Sequence, residues 1–244
     1  MSIETVAHLD WALAIIVDKT ADLDEAIQGV VTSFTSYQGQ KCSACSRVIV
    51  LDSIHDLFVT RLCDAVSSLT LGPPELPESR LGPVIDERAQ TTIRTYIEIG
   101  RQEGTVVYER SGPAEGYYVS PTVVTGIERH HRLAQEEVFG PILAVMRARD
   151  FQDALTLANS TAYALTGGLY SRSPKNIELA TTQFDVGNLY INRGITGALV
   201  GRQPFGGHRL SGVGAKTGSE EYLQQFLTIR VVTENTLRRG FSPE

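Results

Sequence analysis

The sequence predicts an α/β fold in which a mainly parallel sheet is flanked by helices. Short apolar runs rich in β-branched residues alternate with longer segments whose apolar residues recur at helical spacing. Such alternation is typical of parallel strands joined by right-handed helical crossovers. The 244 residues, of which 42% are hydrophobic, are also enough to bury a sizeable core.

The first half of the chain predicts three strands and three helices. The run Leu13–Val17 is wholly apolar and predicts a buried strand. Asp22, with Glu25 three residues later, has the pattern of a helix start. The strand Val48–Leu51 follows, and Ser53 is expected to cap the next helix. The remaining features are a proline- and glycine-rich loop at 71–83, a helix from Asp86 to Glu103, and the strand Thr105–Tyr108.

The second half repeats this alternation and ends in a long irregular region. The predicted strands contain Val123–Val124, Leu143–Met146, Gly168–Tyr170 and Gly187–Ile191, and the predicted helices run from Asp150 to Asn159 and from Pro174 to Gln183. The glycine-rich segment 193–218 predicts a long loop, and loops of that length usually have a function. A short helix at 220–225 and a β-rich segment at 226–232 are expected to close the chain.

Composition excludes several classes of protein. A net charge of -6 and an acidic pI near 5.4 argue against a nucleic-acid-binding surface. The longest apolar run, Leu13–Val17, is far shorter than the ~20 residues of a membrane span and lacks the basic flank of a signal peptide. Three cysteines are too few for a disulfide framework, so a reducing, cytoplasmic compartment is expected.

The segment from Tyr37 to Arg47 is the strongest candidate for chemistry. It holds two of the three cysteines, Cys42 and Cys45, between a predicted helix and a predicted strand. Polar neighbours surround Cys42, and the Lys41 ammonium can lower the pKa of its thiol, as a nucleophile at neutral pH would need. A cysteine on such a turn is well placed to act as a nucleophile.

Three other interpretations of the cysteines remain open at this point. A zinc half-site has no second pair, because Cys63 stands alone and the two histidines at 130–131 are adjacent. A thioredoxin-like redox pair would open a helix, whereas this pair follows one. Inert buried thiols would suit Cys45 and Cys63 better than Cys42.

Other motifs are weaker when taken alone. The glycines from Gly212 to Gly218 miss the dinucleotide fingerprint by one residue and follow no strand, and Lys216 lacks the preceding glycine of a P-loop. The pair Glu136–Glu137 predicts a solvated turn, followed by an anchoring Phe139. From the residues alone, the chain is an α/β protein with a plausible nucleophilic cysteine and a glycine-rich functional loop.

Several motifs together resemble the aldehyde dehydrogenase superfamily. The run Gln38–Arg47 resembles its catalytic-cysteine motif, and Glu136–Pro141 resembles its second signature. The runs Val186–Arg193, Ile195–Gly201 and Gln203–Gly207 are similar to those of the L-glutamate γ-semialdehyde dehydrogenases, also called 1-pyrroline-5-carboxylate dehydrogenases. The segments 81–86 and 165–171 agree, so the resemblance extends from about residue 13 to residue 232.

The resemblance implies a role for each matching residue. Cys42 matches the nucleophile, which forms a thiohemiacetal with an aldehyde; hydride transfer to NAD then gives a thioester that water hydrolyses. Glu137 matches the carboxylate that holds the nicotinamide ribose, and Phe139 matches the aromatic ring beside the nicotinamide. The residues matching the family's substrate contacts are Ser43, Gly197 and Ala198 for the α-carboxylate and Phe205 for the aliphatic chain.

The resemblance also implies a division of the chain into domains, and it shows where this chain differs from the family's pattern. Residues 1–12 are expected to be a divergent N-terminal segment, 13–218 a catalytic domain, and 219–244 a C-terminal helix, oligomerisation strand and tail. The chain is about half as long as the family's members, so most of the dinucleotide-binding domain is expected to be missing. His8 stands where the family has its general-base glutamate.

These departures leave three functional hypotheses. The first is the catalytic half of an NAD-dependent semialdehyde dehydrogenase, which takes a small aldehyde substrate and works as a homo-oligomer or with a missing N-terminal half. The second is a non-catalytic module for assembly or stability, and the third is a cysteine hydrolase. Partners of other classes, namely nucleic acid and membrane, are not expected.

Overall fold

The computed structural model describes residues 12–236 and 240 and confirms the predicted α/β class. His8, the residue in the position of the family's glutamate, therefore lies outside the described residues. The strands, in chain order, are β1 (Leu13–Val17), β2 (Cys45–Leu51), β3 (Thr105–Tyr108), β4 (Thr122–Thr125), β5 (Ile142–Ala148), β6 (Tyr163–Ala164), β7 (Thr166–Tyr170), β8 (Asn188–Ile191) and β9 (His208–Arg209). The helices are α1 (Leu23–Thr35), α2 (Asp52–Ser67), α3 (Glu87–Glu103), α4 (Arg132–Gln135), α5 (Phe151–Ala158), α6 (Pro174–Gln183) and α7 (Glu220–Gln224).

Seven strands form one sheet in the order β3-β4-β5-β2-β1-β7-β8. Every neighbouring pair is parallel except β3 and β4, which pair antiparallel at one edge. The first strand in the chain, β1, lies inside the sheet, with Ala14 opposite Arg47 of β2 and Gly167 of β7. Strands β6 and β9 form a separate two-stranded ribbon that holds part of the glycine-rich loop.

The two faces of the sheet are covered by different helices. One apolar cluster joins Ile16 and Ile49 to side chains of α3, α4, α5 and α6. The other joins Ile15 and Val48 to side chains of α1 and α2. Adjacent residues of each strand thus enter opposite layers, as the alternation of strand side chains requires. Among the described residues, no helix is both long and apolar enough to cross a lipid bilayer.

Local signals gave most helix starts correctly and one incorrectly. The side chains of Asp22, Asp86 and Asp150 cap the starts of α1, α3 and α5 by accepting main-chain N–H bonds. The prediction that Ser53 caps the next helix was wrong. The cap position is Leu51, two residues before Ser53, and it makes no side-chain hydrogen bond; helix α2 therefore begins at Asp52, directly after β2.

Other predicted segments changed in extent or character. Strand β2 begins at Cys45, earlier than predicted, because Leu13 of β1 already pairs with that residue. The glycine-rich region is not wholly irregular, since it contains β9. The β-rich segment 226–232 forms no strand within the described residues, and its apolar side chains, such as Phe226 and Ile229, are exposed.

Arg47 is a buried cation that ties β2 to two other elements. Its guanidinium donates to the carbonyl oxygens of Leu157 and Ala158, at the end of α5, at 3.1 Å each. A third bond of 3.0 Å reaches the carbonyl oxygen of Ala12, immediately before β1. Burial lowers the pKa of Arg47 to about 10, yet these acceptors stabilise the charged form. The guanidinium thus fixes the end of β2 that adjoins the cysteine segment.

Candidate active site

Cys42 lies in a tight turn between α1 and β2. The main-chain N–H of Ala44 donates to the carbonyl oxygen of Lys41 at 2.9 Å, which closes the turn around the cysteine. The Cys42 side chain is half-buried, whereas Cys45 is fully buried at the start of β2. Of the two cysteines in the segment, therefore, Cys42 is the accessible one.

The electrostatic environment of Cys42 differs from the expected activation. Burial is the main cause that raises the pKa of the Cys42 thiol, and the Glu137 carboxylate raises it further. A hydrogen bond from the main-chain N–H of Ser43 and the charge of Lys41 lower the pKa, but they do not offset the burial. Lys41 is the weakest of these influences, and its ammonium lies 4.8 Å from the centre of the Tyr37 ring. Lys41 does lower the pKa of Cys42, as expected, but this effect is too small to outweigh burial, and the net pKa is raised.

A cavity of about 530 Å³ brings Cys42 together with the glycine-rich loop. Phe205 lines it, as the resemblance leads one to expect, and is held by two 2.9 Å main-chain bonds to Thr217. The other lining residues include Gly206, Gly207, Gly212, Gly214 and Ala215. Since many walls of the cavity are main chain without a side chain, a small substrate can approach the sulfur closely.

A close contact between two glycines places the cysteine segment against the second signature. Gly39 has φ +70°, and a Cβ atom there would lie 2.4 Å from the carbonyl oxygen of Gly140. The residues before it, Tyr37 and Gln38, also have left-handed φ values of 54° and 57°, and Phe139 has 54°. Non-glycine residues in this region are strained and cluster at functional sites. The contact holds Glu137 near enough to Cys42 to act on its thiol.

The two predicted cofactor residues of the second signature, Glu137 and Phe139, differ in how far their side chains are buried. Glu137 is half-buried, and the neighbouring Val138 is the residue that anchors the segment in the core. The prediction that Phe139 is the anchor was wrong, since its side chain is 41% exposed. Its left-handed backbone turns the ring away from the core, which leaves an aromatic surface beside Glu137.

The predicted substrate residues are only partly brought together. Ser43 is buried next to Cys42, and Phe205 lies in the same cavity as the thiol. Gly197 and Ala198 belong to the loop after β8 and do not line that cavity. Gly197 is exposed, has φ +85°, and has no atom within 4 Å of the position where a Cβ would be.

Several lining residues were not assigned a role from the sequence. Thr217, Tyr222 and Arg209 all contribute to the walls of the Cys42 cavity. Arg209 is fixed by a 2.7 Å bond to the carbonyl oxygen of Thr161 and by an ion pair with Asp185. The only sequence signal was the length of the glycine-rich loop, which did not distinguish individual residues.

The structure also bears on the alternative roles of the cysteines. No group of three or more metal-binding side chains occurs in the part of the chain that is described. The Cys45 thiol donates to the carbonyl oxygen of Arg47 at 3.2 Å, and complete burial raises its pKa to about 12. Cys45 is therefore a packed, unreactive thiol.

Alkylation by iodoacetamide is expected to distinguish the two cysteines. Only thiolates react, so Cys42 should be modified while the buried Cys45 is spared. Because the pKa of Cys42 is raised, its rate should still increase above about pH 8.5, the usual pKa of a cysteine thiol. Mass spectrometry of the tryptic fragment 42–47 measures both sites. Equal labelling of Cys45, or a plateau of the Cys42 rate below about pH 8.5, would contradict this description.

Comparisons with known proteins agree on one family. Residues 9–232 match the sequence profile of the Aldehyde dehydrogenase family. The 1-pyrroline-5-carboxylate dehydrogenases of Geobacillus kaustophilus and Bacillus subtilis are 44% and 42% identical over 230 residues, which is 94% of this chain and 45% of each protein. The chain thus spans about half the length of the curated relatives it matches.

Solved structures give the same answer. The 1-pyrroline-5-carboxylate dehydrogenase from Thermus with bound NAD is 49% identical and superposes with a TM-score of 0.87, over 89% of this chain and 42% of that one. Proline utilization A from Bdellovibrio bacteriovorus is 49% identical with a TM-score of 0.90, over 95% and 24%. Betaine aldehyde dehydrogenase from Staphylococcus aureus is 31% identical with a TM-score of 0.81, over 89% and 43%.

Proposed function

Because this chain belongs to the aldehyde dehydrogenase family, we propose that it forms the catalytic half of an NAD-dependent L-glutamate γ-semialdehyde dehydrogenase. The reaction is the oxidation of the semialdehyde to glutamate, a step of proline catabolism. The observation that carries the proposal is the position of the half-buried Cys42. It lines the same cavity as Phe205, and the Glu137 carboxylate raises the pKa of its thiol.

Cys42 is the nucleophile of this proposal. Its sulfur adds to the aldehyde carbon: a C–S bond forms, the C=O π bond opens, and the proton lost by the thiol ends on the oxygen, which becomes the hydroxyl of a thiohemiacetal. After oxidation, water attacks the resulting thioester; the C–S bond breaks, and the carboxylate product leaves while the thiol is restored. The Ser43 main-chain N–H, which already lies at the Cys42 sulfur, stabilises its anionic form.

The substrate is recognised at its two ends. Phe205 packs against the aliphatic chain in the cavity that also holds the thiol. Ser43 and the main-chain amides of Gly197 and Ala198 receive the α-carboxylate, since amides of a glycine loop form a suitable cradle for an anion. The exposed, unobstructed backbone of Gly197 supports this role.

The described residues fit one end of NAD. Glu137 would accept hydrogen bonds from the nicotinamide ribose, and the exposed ring of Phe139 would lie beside the nicotinamide. When bound, NAD supplies the hydride acceptor. No glycine-rich strand-to-helix turn for a pyrophosphate is found among residues 12–236. We therefore assign the other end of the cofactor to an N-terminal half, which acts as a partner, because a second copy of residues 12–236 would add no such turn.

The test follows NADH formation from the semialdehyde and NAD, with and without a separately expressed N-terminal half of a 1-pyrroline-5-carboxylate dehydrogenase. Turnover and calorimetric NAD binding are expected only when that half is present. Absence of NAD binding under both conditions would overturn the enzymatic proposal. Ester hydrolysis that needs Cys42 but ignores NAD would instead favour a cysteine hydrolase.

A second candidate is a non-catalytic module for assembly or stability. The observation that favours it is the sequence at His8, where the family's general-base glutamate is replaced. Loss of a general base typically lowers a rate by about 10²–10⁴. A module of this kind would bind the N-terminal half without producing NADH, so the same experiment separates the two candidates.

A further inference from the structure

Glu136 is the carboxylate of the second signature that the proposed function leaves without a role. It lies directly before Glu137 and is held by two side chains. The Tyr96 hydroxyl, from α3, donates to Glu136 Oε2 at 2.6 Å. The Arg132 guanidinium donates to both carboxylate oxygens, at 2.9 Å from Nε to Oε1 and 2.8 Å from Nη2 to Oε2. Such a forked, charge-assisted pair fixes direction as well as position.

Helix α3 also fixes the other end of α4. The Glu103 carboxylate accepts the main-chain N–H groups of Arg132 and Leu133 at 2.8 and 3.0 Å. Leu133 and Ala134 are buried against the core between these two attachments. The segment that leads into the second signature is therefore held at both ends by one helix.

The geometry of Glu136 determines where the next carboxylate points. Its backbone is extended, with φ -105° and ψ 149°. Successive side chains of an extended segment point in opposite directions. Since Glu136 points towards α3, Glu137 points away from α3, and its charge acts on Cys42.

We propose that Tyr96 and Arg132, acting through Glu136, are positioning residues that hold Glu137 beside Cys42. The inference rests on the proposed roles of Cys42 as nucleophile and Glu137 as cofactor ligand. Most exposed ion pairs contribute little to stability. The Arg132–Glu136 pair matters instead for orientation, because it determines that Glu137, and not Glu136, faces Cys42.

The test uses the alkylation rate of Cys42 as a measure of the Glu137 charge. The charged groups that influence this thiol are Glu137, which raises its pKa, and Lys41, which lowers it. Glu137→Gln should lower the pKa, increase the thiolate fraction at about pH 8, and speed carbamidomethylation roughly three- to fivefold. Glu136→Gln or Tyr96→Phe should produce part of this increase, because Glu137 is then less well held.

The decisive measurement is the double variant. In a Glu137→Gln background, Glu136→Gln should cause no further change, since no charge remains to be positioned. An unchanged pH profile in Glu136→Gln and Tyr96→Phe, or effects that simply add to Glu137→Gln, would overturn the proposal. So would a Glu137→Gln variant with the wild-type profile.

A matched control lies on the same helix. Glu98 pairs with Arg101 at 3.2 Å, so Glu98→Gln removes a similar charge from α3 without touching the second signature. It should leave the Cys42 profile unchanged. Tyr96→Phe removes a single oxygen and keeps the test valid if Glu136→Gln does not fold. The alkylation rate of Cys42 depends on neither NAD nor turnover. A failure of the positioning proposal is therefore distinguishable from a failure of the proposed function, which NADH formation tests.

Discussion

Cys42→Ala is expected to abolish NADH formation by the chain combined with the separately expressed N-terminal half of a 1-pyrroline-5-carboxylate dehydrogenase. Cys42 is the only thiol among the described residues that line the cavity with Phe205, and a thiol is the strongest nucleophile available there. Removal of a covalent nucleophile commonly costs about 10⁴-fold or more in kcat, which corresponds to roughly 5.5 kcal/mol of transition-state stabilisation. NADH absorbance with the semialdehyde and NAD measures the effect directly.

The matched control for this prediction is Cys63→Ala. Cys63 is also half-buried, but it lies on α2 and is not part of the Cys42 cavity. Its replacement should leave kcat close to the wild-type value. Substantial turnover by Cys42→Ala would show that the aldehyde is oxidised without this thiol, and the mechanism proposed above would have to be abandoned.

Gly39→Ala is expected to destabilise the fold strongly. An alanine at φ +70° is strained by about 1 kcal/mol, and its Cβ would lie 2.4 Å from the carbonyl oxygen of Gly140 and 2.9 Å from that of Phe34. Both obstacles are main chain, so neither can rotate away. We expect a loss of roughly 3 kcal/mol or more, together with separation of the cysteine segment from the second signature.

Comparing the urea unfolding of Gly39→Ala and Gly201→Ala separates the cost of the close contact with Gly140 from the cost of backbone strain. Gly201 has φ +77°, but nothing lies within 4 Å of the point that a Cβ atom would occupy. Gly201→Ala should therefore show the backbone strain alone, about 1 kcal/mol, as a smaller shift of the midpoint at constant slope. Equal losses in the two variants would mean that the Gly39–Gly140 contact contributes nothing.

Prediction from the sequence succeeded where the determining interaction is local. The helix starts at Asp22, Asp86 and Asp150 were predictable, because each carboxylate bonds to N–H groups two or three residues away. The prediction that Ser53 caps α2 failed because the sheet determines where that helix starts. Strand β2 pairs with β5 through Leu51, and the helix begins at the next residue. The general class followed from strand and helix alternation alone.

The site was predictable only in part for the same reason. Cys42 could be proposed from its polar neighbours and assigned through the family resemblance. Its proximity to Glu137 depends on a contact between Gly39 and Gly140, about a hundred residues apart in the chain, and no local pattern encodes that contact. The net rise in the pKa of Cys42 was likewise missed, since burial, which outweighs Lys41, is a property of the folded chain.

The position of β1 inside the sheet has a consequence for how the polypeptide folds during synthesis. This strand is made before either of its two neighbours, and one of them is β7, which pairs Gly167 with Ala14. During synthesis, β1 can join β2 soon after emerging, but its other edge must wait for about 150 more residues. A chain that stops before Thr166 leaves the apolar run Leu13–Val17 with an open edge, ready to pair with another nascent chain.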